Sequence, residues 1–197
     1  MNTQVHDTRC RNCGAAADIG QTKCAYCKQP VLISTFNSVY AMPMPMVSQY
    51  ANEYRTALQN EPGAADLNGS IAMCFLKLGQ RDKALSAFEQ AIEDNFDNSE
   101  TFFYAAICRL KGKKAFLAQR PAIDAIENDI NSALMIEPRG IYYYFWAYIK
   151  HDYFERKSLN TTPTYRELLM KANTAGFSPL DAEQLFGILG VSRPEGF

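Results

Sequence analysis

Two C-x-x-C pairs, Cys10 with Cys13 and Cys24 with Cys27, leave little freedom to the segment that carries them. Each pair can present two thiolates to one ion, and the ten residues between the pairs allow both to reach the same centre. The sequence CRNCGAAADIGQTKCAYCKQP holds too few apolar side chains to fold by burial alone. A body this small needs a metal or disulfides. Zinc is the expected ion, and with four sulfur ligands it has no open position, so its expected role is structural. His6 is near enough in sequence to stand in for a ligand but is not needed as one.

The spacing suggests two knuckles joined by a hairpin, with Asp18-Ile19-Gly20-Gln21 as the turn. Gly14 follows Cys13, where a left-handed backbone is easiest for glycine; Lys28 holds the matching place after Cys27. Over roughly residues 8–30 the chain resembles the short bacterial zinc-ribbon family, in which C-x-x-C-G recurs, with Lys28 in place of the second glycine. The resemblance implies a small β-type ribbon. Val31, Ile33 and Thr35 alternate as a strand added to it would. The ribbon is assigned to residues 1–35, and residues 36–45, with Pro43 and Pro45, to an extended Pro/Met-rich linker. On that division, losing the metal should unfold the ribbon and leave helicity nearly unchanged.

A second pattern begins after Pro45. Tyr54, Ala57 and Pro62 recur as Phe88, Ala91 and Phe96, and Ala72, Leu76 and Lys77 recur as Ala106, Leu110 and Lys111, always thirty-four positions later. Within residues 65–98, Ile71, Ala72 and Phe75 on one predicted helix are followed by Ala84, Phe88 and Ala91 on the next. These residues resemble the tetratricopeptide family, whose unit is a helix-turn-helix of this period. Asn68 and Phe96 replace the family's usual tryptophan and proline. The period then loosens around KGKKAFLA, before Pro121 at the start of a further helix.

The expected fold is therefore mostly α: an α-solenoid of about three tetratricopeptide-like helix pairs over residues 46–190, with a capping helix and a tail at 191–197. Helices are expected near 46–60, 64–78, 81–94, 98–111, 120–136, 139–156, 164–175 and 179–189, the last capped by Ser178 and ended by Gly190.

The family resemblance implies a groove lined by the first helix of each pair. Met73, Leu76, Lys77, Phe103, Ile107, Leu110 and Lys111 would line it, continued by Tyr143, Ala147 and His151. An apolar floor with a few cations suits a peptide bearing an acidic group. The family's carboxylate clamp is not matched, because Gly69, Met73, Phe103 and Ile107 stand at its positions. The run Tyr142–Trp146 with Tyr148 surrounds its helix and is expected mostly in the core. Cys74 and Cys108 lie in apolar helical patterns and read as buried core.

The net charge of −1 gives no bulk attraction to nucleic acid or anionic membrane. Arg9, Arg11, Lys23 and Lys28 outnumber Asp7 and Asp18 in the first forty residues, a mild basic excess. The start of the chain has no apolar signal segment, and residues 141–149 are too few to span a bilayer, so a cytoplasmic protein is expected. With two separated histidines and no nucleophile or phosphate-loop motif, no reaction is expected. The leading expectation is a protein–protein interaction adaptor whose partner is a protein or peptide. The alternative is a nucleic-acid-associated factor whose ribbon contacts RNA or DNA.

Overall fold

The computed structural model describes residues 10, 13–16, 21–33, 35–61, 63–195 and 197. His6, Arg9, Arg11, the Asp18–Gly20 part of the expected turn and Pro62 lie outside the described residues. The described chain is mainly helical and divides by its contacts into two compact units, Met1–Asp94 and Asn95–Phe197. The division falls inside the region expected to form one repeat domain.

In the first unit no strand forms among the described residues; an isolated antiparallel bridge, Lys23 with Pro30, brackets the second cysteine pair. The segment expected as a strand instead buries Val31 and Ile33 against helices. Its backbone groups are satisfied by side chains. Tyr54 Oη accepts from Ile33 N at 3.1 Å and donates to Val31 O at 2.7 Å, and Ser70 Oγ donates to Ile33 O at 3.0 Å. With its polar groups already served, this stretch has no need of a neighbouring strand.

The expected linker is largely helical. Thr35 caps a short helix α1 (Phe36–Tyr40), which buries Phe36 and Val39. Helix α2 (Met44–Leu58) then starts with Pro45 in its first turn, where the missing N–H costs nothing. Pro45 thus opens a helix that its presence was expected to block.

Helix α2 buries Val47, Tyr50, Ala51 and Tyr54, one face at helical spacing. Helices α3 (Ala65–Lys77) and α4 (Arg81–Asp94) form a hairpin. Its turn is closed by Gly79, left-handed at φ +73, with Gln80 N bonded to Phe75 O at 2.9 Å. Ala72 and Ala84 are fully buried, as the helix pair requires for close approach.

In the second unit Asn98 caps α5 (Ser99–Arg109) through the Glu100 and Thr101 amides. The irregular KGKKAFLA stretch holds a short 3-10 turn, Ala115–Leu117, before α6 (Arg120–Ile136), with Pro121 in its first turn. Ile123, Ile126, Ile130 and Ala133 give α6 a fully buried stripe against α5.

Helix α7 (Gly140–Ile149) does not continue regularly to 156; it widens into a π turn at Lys150–Phe154 and tightens to a 3-10 turn at Glu155–Lys157. Helix α8 (Tyr165–Thr174) packs on α7 and begins with a Thr164–Glu167 capping box. Helix α9 (Pro179–Leu189) has a Ser178–Asp181 box and ends at left-handed Gly190, the cap and stop read from the sequence. No described helix is long and apolar enough to cross a membrane.

The aromatic run is core. Tyr142, Tyr144, Phe145 and Tyr148 are buried, while Tyr143 and Trp146 are half-buried. Ser99 Oγ lies 3.0 Å from the Tyr142 hydroxyl, Ala115 N donates to Tyr148 Oη, and Trp146 Nε1 donates to Glu127 at 2.6 Å.

Candidate metal centre

Each cysteine pair sits on a knuckle of the same shape. After the first, Gly14 N donates to Cys10 O at 2.7 Å and Cys10 N to Ala15 O at 2.8 Å. After the second, Lys28 N donates to Cys24 O at 3.0 Å and Cys24 N to Gln29 O at 2.8 Å. Gly14 and Lys28 are both left-handed, at φ +71 and +63. Lys28 therefore takes the glycine conformation, against a cost of about 1–2 kcal/mol. Its Nζ returns to Ala25 O at 2.7 Å across the same turn.

The knuckles bring all four sulfurs within 4.8 Å of one another. Cys10 Sγ lies 3.4 Å from Cys27 Sγ, and Cys13 Sγ lies 3.6 Å from Cys24 Sγ. Metal–sulfur bonds of about 2.3 Å in a tetrahedron require sulfurs about 3.8 Å apart. The set fits one tetrahedral ion, and none of the four is in a disulfide.

The cluster also needs a cation electrostatically. The backbone N–H groups of Cys27 and Tyr26 hold Cys24 below the ordinary thiol value. At Cys13 the Ala15 N–H pulls the same way, but desolvation and the Cys27, Cys24 and Cys10 sulfurs outweigh it and push the thiol up to about 12. Four thiolates this close repel one another, and a divalent ion at their centre removes that repulsion.

The centre is fastened to the helices. Besides Tyr54 and Ser70, Tyr50 Oη donates to Gln21 O at 2.9 Å, and Lys23 pairs with Glu53 at 2.8 Å. Sequence reading missed these anchors. Tyr50 and Tyr54 carried a signal only as two large polar-tipped residues on the buried stripe of α2.

The residues expected to line the groove fall in both units. Met73, Leu76, Phe103, Ile107, Leu110 and Ala147 are buried. Lys77 Nζ donates to Tyr40 O at 2.8 Å and stands 4.2 Å from the Tyr40 ring centroid. Lys111 is exposed and left-handed, just past the end of α5. Lys77 and Lys111 belong to different units.

Tyr143 lines a shallow depression with Pro138, Pro163 and Met170. His151 packs between the rings of Tyr165 and Phe197, and burial lowers its pKa. Cys74 and Cys108 are buried, and burial pushes the Cys74 thiol up to about 12, consistent with inert core residues. No protein-family model matches this chain, and no curated protein matches it either.

Proposed function

We propose that this chain is a cytoplasmic protein-binding adaptor in which a structural zinc ion fixes the start of a tetratricopeptide-like helical scaffold. The observation that carries the reading is the closed four-sulfur cluster whose flanking chain is bonded into α2 and α3. Four sulfurs leave a tetrahedral ion no site for substrate, so its contribution is to folding. A reducing compartment keeps such cysteines available to metal.

Support for binding comes from the helix pairs α3/α4, α5/α6 and α7/α8, together with the thirty-four-residue recurrence and its family resemblance. Protein is favoured over nucleic acid because the described cations of the cysteine segment, though exposed, are already engaged: Lys23 pairs with Glu53, and Lys28 donates to Ala25 O. Those contacts compete with phosphate for the same ammonium groups.

The test is affinity capture by the zinc-loaded full chain, with the retained material divided by protease and by nuclease. The adaptor reading expects a protein retained after nuclease. Retention of nucleic acid alone, falling steeply with salt, would replace it with the nucleic-acid reading.

A further inference from the structure

A depression between α2, α3 and α4 in the first unit uses a different face of α3 from the predicted groove. Its floor is Ile71 and Phe75 from α3, with Leu58 from α2 and Ala87 from α4. Its rim carries two exposed cations, Arg55 and Lys83. Ile71 and Phe75 lie one turn apart, on the face of α3 away from Met73, Leu76 and Lys77.

Both cations lean on the same ring. Arg55 Cζ is 6.0 Å from the Phe75 centroid, and Lys83 Nζ is 5.8 Å from it. Among the described residues neither has a carboxylate partner; the Arg55 guanidinium donates to Asn52 Oδ1 at 3.2 Å. Nearby acids on α4 are engaged elsewhere: Glu93 accepts from Gln90 Nε2 at 3.1 Å, and Asp94 accepts from Asn68 Nδ2 at 3.5 Å. Two like charges are thus gathered over an apolar floor with no anion between them. A carboxylate at this rim would be attracted by both, while an apolar neighbour would cover the half-buried Leu58 and Ala87.

We infer that this depression binds an acidic peptide segment carrying apolar side chains, its carboxylate between Arg55 and Lys83. The inference rests on the protein-binding reading and names the chemistry of the partner.

The experiment measures fluorescence anisotropy of the zinc-loaded full chain with labelled peptides of one length, in which leucine is interspersed with glutamate, glutamine or lysine. The glutamate peptide is expected to bind at least about tenfold more tightly than the glutamine peptide, as expected of charge-assisted contacts, and to weaken with salt. The lysine peptide should bind least. Arg55→Gln with Lys83→Gln should erase the preference, and Lys83→Gln alone should reduce it, while Arg166→Gln with Lys171→Gln should leave it intact. Equal binding of the glutamate and glutamine peptides, or a preference that survives Arg55→Gln with Lys83→Gln, overturns the inference. If that double variant still captures the same protein as the parent chain, the peptide site fails and the adaptor reading stands. If neither chain captures protein, the adaptor reading itself fails.

Discussion

Tyr54 donates its hydroxyl proton to the Val31 carbonyl at 2.7 Å, joining the middle of α2 to the chain that leaves the cysteine cluster. The same oxygen accepts from Ile33 N, so one buried phenol replaces the ladder that a paired strand would have supplied. Burial moves the Tyr54 pKa well above the ordinary phenol range, so it donates at any ordinary pH. Tyr54→Phe leaves a buried carbonyl and a buried amide unpaired and should destabilise the first unit by about 1–3 kcal/mol. Urea denaturation followed by circular dichroism measures this. An unchanged midpoint would mean that water reaches these groups.

Metal binding should depend on all four sulfurs and on their deprotonation. The parent chain should carry one zinc per chain by elemental analysis, and Cys24→Ser should lose it. As pH falls, protons compete for the thiolates, so bound metal should be released on acidification and regained on neutralisation. Full occupancy in Cys24→Ser would point to a different ligand set.

Gly140 opens α7 where α8 and the chain after it pass very closely. A Cβ at this position would lie 2.6 Å from Phe177 N and 2.8 Å from Ala172 O, both backbone atoms. Gly140→Ala should therefore cost about 1–3 kcal/mol, as an overpacked core does. A thermal melt of the variant measures the loss, and an unshifted melting temperature would show that α7 and α8 can separate freely.

Glu127 takes both Trp146 Nε1 and Lys150 Nζ at 2.6 Å, and the Lys150 side chain is only 5% exposed. Lys150 also donates to Thr161 Oγ1 at 2.7 Å. Glu127→Ala strands a buried ammonium and should cost about 3–5 kcal/mol, whereas Glu127→Leu with Lys150→Met should recover most of that. Trp146 is the only tryptophan, so its fluorescence follows this site directly. Additive losses in the double variant would contradict the coupling.

What could be read from the sequence was local. The knuckles followed from cysteine spacing, and α6 and α9 from Pro121, Ser178 and Gly190, because ligands and caps act within a few residues. What could not be read depended on distant partners. Tyr54 serves backbone atoms twenty-one and twenty-three positions away, and no periodicity records that. The π turn at Lys150–Phe154 likewise escaped a 3.6-residue pattern, and Asp152 within it is fully buried, bonded to Phe116 N and Arg156. Met73, Phe103 and Ile107 fit groove lining or internal packing equally by sequence, and they are buried.

The central claim is that the four cysteines hold a structural ion that supports the first helical unit. Hydrogen exchange of the full chain before and after zinc removal by a chelator tests it most directly. Faster exchange should spread beyond residues 10–33 into α2 and α3, because Tyr50, Tyr54 and Ser70 lose the chain they hold. Faster exchange confined to the cysteine segment, with α2 and α3 as protected as before, would contradict the account.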